Sequence, residues 1–238
     1  IQWQWKEDVF PECDQFNGIH EGLVQSWKDI FPKKGEIHFA GALENNEDTG
    51  TLQYLASTAM EAGFSTRVLD MQALDLQNGR FFDPAGELVN RCFKLYPWEW
   101  MVDESPDGCL AEMEWLEPIW KLVMSNKAIL ATLYELFPDS PYVLPCYLSR
   151  PRSGLFCKKP VFSREGHNVS VVDIRDWEEY VRIAETEGDY NTGAYVYQEY
   201  VEPTAYSGRY PVIGSWIIGG EAAGIGIREN RMEVTDNL

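Results

Sequence analysis

Residues 37–74 follow an order that few architectures accommodate. IHFAGAL (37–43) is a short apolar strand, and ENNEDTG is a polar loop. Thr51–Ala62 has the spacing of a helix, Gly63 stops it, and STRVLDMQAL (65–74) is a second strand. A strand, a helix and a strand in that order pair the two strands in parallel, with the helix covering one face. The unit predicts an α/β layer in the first half of the chain. Around it, residues 1–31 read as helical, with Trp3, Phe10, Phe16, Ile19, Leu23 and Trp27 at spacings of three and four. NGR (78–80) and PAG (84–86) are turn signals. LVNRCFKLYPWEWM (88–101) is strand-like and ends in an aromatic cluster. WLEPIWKLVM (115–124) and NKAILATLYELF (126–137) are expected helices, the second stopped by Pro138 and Pro141.

Further on, the pattern changes. GLFCKKPVF, NVSVVDI, AYVYQEYV, PVIGSWIIGG and EAAGIGIRE are short strands between turns, interrupted by one expected helix, DWEEYVRIAETE (176–187). Strands running back to back predict an antiparallel, α+β second half. The fold class is therefore α/β (α+β), with a boundary near residue 122.

Composition narrows the partners. The chain has 238 residues, room for one large domain or two small ones. Its 38 acidic residues against 20 basic give a net charge of -18, which argues against nucleic acid, whose phosphates must be neutralised. Five scattered cysteines without a CxxC pair give zinc and redox readings little support and suit a reducing cytoplasm. No apolar run approaches the roughly 20 residues of a membrane helix, and no signal peptide is present. The chain opens without Met, inside an expected helix, and stops at VTDNL, so a fragment of a longer protein is expected.

Against that acidity stands FCKKPVFSREGHN (156–168). Lys158 and Lys159 end a strand, and Ser163, Arg164 and Gly166 form the loop after it. Gly166 permits close backbone approach, successive amides can cradle an anion, and Lys159 supplies a point charge for phosphate. The stretch reads equally well as a hairpin with solvated bases, and the GxxxxGK[ST] spacing of a Walker A loop is absent. AYVYQEYV (194–201) could offer its backbone to an adenine edge or be an edge strand. Arg228, ending the glycine-rich run IIGGEAAGIGIREN, could reach a phosphate or pair with a carboxylate. Lys127 could meet a phosphate at a helix start or face solvent.

The order of these stretches carries a resemblance. LYPWEWM, SNKAILATLYELFP, CKKPVFSREGHNV, YVYQEYV and VIGSWIIGGEAAGIGIRE, with QFNGIHEGLVQSW and EDTGTLQYLASTAMEAGFST, resemble the glutathionylspermidine synthase family over nearly the whole chain. The nearest likeness is to its stand-alone acid–amine ligases. The resemblance implies a pre-ATP-grasp region over 1–122 and an ATP-grasp nucleotide-binding region over 123–238, both incomplete. It implies an ATP-dependent carboxylate–amine ligase that works through an acyl phosphate on small-molecule acid and amine substrates. The alternative is an ATP-binding or ATP-hydrolysing regulatory protein of the same fold.

By motif position, Lys127 and Lys159 would be nucleotide-contacting lysines, and Gly166 would belong to the loop over the phosphates. Gln198, Glu199, Tyr200 and Val201 would line the adenine, and Arg228 would be the catalytic arginine near the transferring phosphate. Glu47 and Asp48 would fall where the family's acidic substrate-binding residues lie. The family's Mg2+ ligands belong to a segment before residue 1, so no metal ligand is assigned here and the fragment alone is expected to be inactive. Leu95 stands where glutathione-using members carry a small polar residue, which points away from glutathione. Neither a serine nor a cysteine nucleophile is expected.

Overall fold

The computed structural model describes residues 2–176, 179–190 and 193–231. It divides into two units, Ile1–Lys121 with Ile213–Gly226, and Leu122–Val212 with Ile227–Leu238.

In the first unit, α1 (Gln2–Val9) and α2 (Ile19–Ile30) precede β1 (Glu36–Gly41), α3 (Asn46–Glu61) and β2 (Ser65–Asp70). A small antiparallel sheet follows, made of β3 (Asp75–Gln77), β4 (Arg80–Phe82) and β5 (Leu88–Val89). Then come β6 (Arg91–Leu95), α4 (Trp98–Glu104), α5 (Pro106–Cys109) and β7 (Glu114–Leu116). The main sheet runs β2-β1-β6-β7 with every neighbouring pair parallel, so the βαβ unit forms as expected.

Local chemistry sets the limits of α3. The Asn45 side chain accepts the Glu47 amide at 2.8 Å, and Glu47 and Asp48 sit in the first turn, where the helix dipole favours carboxylates. At the other end Gly63, at φ +94°, closes a Schellman motif. Its amide reaches the Met60 carbonyl at 2.9 Å, and the Phe64 amide reaches the Ala59 carbonyl at 3.0 Å.

Between those ends, Leu52, Ala56 and Ala59 recur on one face and are buried. They meet Ile37 and Phe39 of β1, with Val24 and Trp27 of α2 and with Phe31 and Phe64 completing the core. The Trp27 indole donates to Thr58 Oγ1 at 2.9 Å, so the polar atom it buries is satisfied.

In the second unit, α6 (Leu122–Ser125) and α7 (Ala128–Leu136) precede five strands. These are β8 (Cys146–Tyr147), β9 (Gly154–Pro160), β10 (Ser170–Ile174), β11 (Tyr180–Glu185) and β12 (Tyr195–Glu199), in the order β11-β10-β9-β12-β8. Every pair in this sheet is antiparallel. Ala131 of α7 packs on Cys146 and Val196 on one face. Phe156, Val172 and Ile174 gather on the other. Finally β13 (Tyr210–Ile218) and β14 (Glu221–Asn230) make a two-stranded sheet, of which Ile213–Gly226 is counted with the first unit. Its Ala223 carbonyl takes the Gly18 amide at 2.6 Å within the first unit.

Several expected elements are corrected. In place of the helix expected at 176–187 stands strand β11 at Tyr180–Glu185; Trp177 and Glu178 lie outside the described residues. Tyr180 to Glu185 find backbone partners along β10, from Ile174↔Tyr180 to Ser170↔Glu185, and an available sheet edge overrides local helical preference. The expected helix at 115–124 begins instead as strand β7, and the strand-like 88–101 turns into α4 at Trp98. The single helical stretch at 1–31 is two helices separated by residues 10–18. Among the described residues no helix is long and apolar enough to cross a membrane.

Candidate functional site

The lysine-bearing loop grows out of β9. Along that strand side chains alternate, so Lys158 and Lys159 face opposite ways. Lys158 lies over the Tyr195 ring, 3.9 Å from its centroid. Lys159 turns to the α7 side, and its Nζ donates to Gln198 Oε1 at 2.7 Å. The register makes this possible, because Lys159 pairs with Val196 and Cys157 pairs with Gln198, which puts all four side chains on one face. Burial pushes the Cys146 and Cys157 thiols up against the pull of the Lys159 charge, so neither is an activated nucleophile.

Lys127 is tied to the same strand end. It caps α7 from the N-terminal side, its amide donates to the Val161 carbonyl at 2.8 Å, and its Nζ donates to the Ser163 carbonyl and hydroxyl at 2.6 and 2.9 Å. Next comes the turn holding Gly166. Glu165, Gly166 and Asn168 all take positive φ, at 57°, 74° and 54°. For Glu165 and Asn168 this left-handed backbone is strained and needs support from outside the turn. That support comes from the segment after β11. Thr186 Oγ1 donates to the Gly166 carbonyl, and Asn168 bonds the Gly188 carbonyl and the Tyr190 amide, each at 2.8 Å.

Lys159 with Gln198, Lys127 with Ser163, and Gly166 with Thr186 thus form separate hydrogen-bonded sets, on β9 and on the segment that follows it. The other candidates stand differently. The amides of Glu199 and Tyr200 go to the Pro145 and Leu155 carbonyls at 2.8 and 3.0 Å, so neither is free for an adenine. Val201 is exposed. Arg228 is exposed on β14 in the same unit as the lysines, but no recorded contact joins it to them among the described residues. Glu47 and Asp48 belong to the first unit, in the opening turn of α3. Among the described residues no group of three or more His, Cys, Asp and Glu is arranged to hold a metal.

The carboxyl edge of the parallel sheet, where ligands of such sheets commonly bind, follows β1 with Glu47 and Asp48 and also carries side chains that no sequence motif singles out. Asp70 ends β2 and accepts the Leu43 and Gln72 amides at 3.1 and 2.8 Å. Tyr96, just past β6, donates its hydroxyl to Glu104 at 2.7 Å, and its ring meets Trp100 edge-on at 5.5 Å. Burial, with Glu104 adding to it, pushes Tyr96 up to about 12. The predicted βαβ order was the signal that could have directed attention to this edge.

At the opposite end of the sheet a groove of about 830 Å³ is lined by Lys34, Glu36, His38, Asn90, Arg91 and Glu114, among others, and by none of the candidate residues. His38 is 1% exposed, with Glu36 and Asp83 oxygens each 3.8 Å from Nε2. The Glu87 and Ala85 amides and the Arg67 guanidinium hold Asp83 low against its burial. Burial also holds the His38 imidazole below its usual value, though both carboxylates pull the other way. The unfolded chain therefore binds the His38 proton more readily than the folded one. Its contribution to stability is intact above the unfolded value, about pH 6.5, and is lost as pH falls towards the depressed folded value. Urea titrations across that range should record the decline, and His38→Gln should flatten it.

A model of the family described as glutathionylspermidine synthase preATP-grasp matches residues 1–238. A Haemophilus influenzae protein provisionally named an acid–amine ligase is 34% identical over 251 residues, which cover 100% of this chain and 64% of that protein. Trypanothione synthetase of Crithidia fasciculata is 26% identical over 99% of this chain and 40% of its own length. The bifunctional glutathionylspermidine synthetase/amidase of Escherichia coli is 27% identical over 94% of this chain and 40% of its own length. The chain spans less than two thirds of the length of each.

Proposed function

Because the chain belongs to the glutathionylspermidine synthase preATP-grasp family, we propose that it works as part of an ATP-dependent ligase joining a small carboxylic acid to an amine. The observation that carries this reading is the Lys159–Gln198 bond at the end of β9, beside the loop that also holds Lys127. Lys159 has a neutral oxygen partner in Gln198, which triphosphate oxygens can replace or supplement.

In the proposed reaction a carboxylate oxygen of the acid attacks the γ-phosphorus of ATP, and ADP leaves. The acyl phosphate is then attacked at its carbonyl carbon by the amine, and phosphate departs with the amide formed. Such a sequence needs positioning and charge compensation rather than a protein nucleophile, in keeping with the high thiols beside Lys159. Lys127 and Lys159 would hold the phosphates, the Gly166 turn would cover them, and the Gln198–Val201 run would meet the adenine through groups other than the Glu199 and Tyr200 amides. Arg228 would stabilise the transferring phosphoryl group. Glu47 and Asp48 would meet the substrates. No metal-holding group is found among the described residues, so no step is assigned to Mg2+. These 238 residues alone are expected to turn over nothing.

Phosphate release by the whole protein with ATP tests the reading. Glutathione and other small carboxylic acids should be supplied with and without spermidine or another amine. Release should rise only when an acid and an amine are both present, with a product whose mass is their sum less one water. ATP turnover that no pair stimulates would instead favour a regulatory nucleotide-binding protein.

A further inference from the structure

Lys94 is the one buried lysine or arginine among the described residues, at 5% exposure. Among the described residues its ammonium meets a carbonyl and an aromatic ring. It donates to the Tyr96 carbonyl at 2.7 Å, and it lies 3.8 Å from the centroid of the Trp98 ring. Cys92, Glu99, Cys109 and Glu117 face it from its own strand and the elements around it, yet burial still pushes the amine down to about 8. Hiding an amine in this way is costly unless geometry is gained in return.

The gain lies in the corner after β6. Leu95 is the last strand residue, and α4 begins at Trp98, so the chain must turn within Tyr96 and Pro97. The Tyr96 carbonyl lies past the end of β6 and needs a donor, which Lys94 provides. Trp98 then carries the constraint across the sheet. Its indole N–H reaches the Glu117 carbonyl at 3.1 Å, just past β7, and its ring meets Trp115 edge-on at 5.6 Å. One ammonium and one indole therefore pin together the exits of two parallel strands. On the outer side of the corner, Tyr96 and the partly exposed Trp100 stand at the sheet's carboxyl edge, where the charge of Asp70 is felt by Tyr96.

We propose that Lys94 is a positioning residue, whose ammonium holds the Tyr96–Trp98 corner in the one arrangement that turns Tyr96 and Trp100 towards the acid or amine substrate. The clamp follows from contacts within the first unit; its service to a substrate rests on the ligase reading above.

The test uses the whole protein labelled with 5-fluorotryptophan, with the Trp98 and Trp27 lines assigned through Trp98→Phe and Trp27→Phe. Lys94→Met keeps the stem and removes the donor. It should shift and broaden the Trp98 line while leaving Trp27 unmoved, and Lys94→Arg should restore a narrow line. With an acid–amine pair that drives phosphate release, Lys94→Met should raise the KM for the acid or the amine about tenfold and leave the KM for ATP within about twofold. Should Lys94→Met not fold, Lys94→Gln is measured in its place. An unchanged Trp98 line, or equal disturbance at Trp27, overturns the clamp. A disturbed Trp98 with all three KM values unchanged overturns the positioning role. If no pair stimulates the wild type, the ligase reading fails, and the fluorine spectra alone decide whether Lys94 holds the corner.

Discussion

Lys159→Ala in the whole protein is expected to weaken ATP binding about 100-fold, measured by calorimetry or by displacement of a fluorescent nucleotide. A charged hydrogen bond to phosphate contributes about 1.5–3 kcal/mol, and each factor of ten in affinity corresponds to about 1.4 kcal/mol. The fold should tolerate the change. Lys159 is half-buried, and its side-chain partner Gln198 can turn to water. Lys158→Ala is the informative control, since it removes an identical charge one residue away on the opposite face, over Tyr195. If general charge were what attracted the nucleotide, the two substitutions would be equivalent. The prediction requires Lys158→Ala to leave the affinity within about threefold. Equal losses, or no loss with Lys159→Ala, would remove the reason for placing a triphosphate at this strand end.

Phe39→Ala should cost about 3–5 kcal/mol, the range for emptying a large aromatic site in a core. Phe39 is fully buried on β1, a strand with parallel partners on both sides. Its ring meets Trp27 edge-on at 5.6 Å and Phe93 at 5.8 Å, so truncation removes ring contacts to α2 and to β6 at once. A domain stable by about 5–15 kcal/mol would lose a large share of that. Urea unfolding followed by tryptophan fluorescence should show an earlier midpoint, with Phe39→Leu falling between the variant and the wild type. A loss under about 1 kcal/mol would mean that the layer formed by β1, α2 and α3 is not the unit's principal core.

The two substitutions separate what is legible in one dimension from what is not. Phe39 was readable as core because IHFAGAL is apolar and a helix and a second strand follow it. Asn45, Gly63 and the apolar stripe of α3 are local signals, each acting within a few residues, and the structure has them all. Residues 176–187 misled because their Glu and Ala content suits a helix, whereas the free edge of β10 lies outside the segment and favours a strand. Residues 88–101 misled in a similar way. The aromatic cluster that resembled a strand end is the first turn of α4, held by Lys94 of β6 and by the Glu117 carbonyl just past β7.

By itself the sequence determined the parallel βαβ layer, the antiparallel second half and the family to which the chain belongs. Each depends on periodicity, on residues that start or stop an element, or on the order of motifs, all of them properties of neighbours along the chain. Only the tertiary structure decided that Lys159 meets Gln198 while Lys158 does not, that Lys127 is bonded to the loop after β9, and that a buried amine at Lys94 meets the Tyr96 carbonyl and the Trp98 ring. Those outcomes depend on strand register and on which face each side chain occupies. A shift of one residue in register reverses every face, and no local preference in the sequence is sensitive to such a shift.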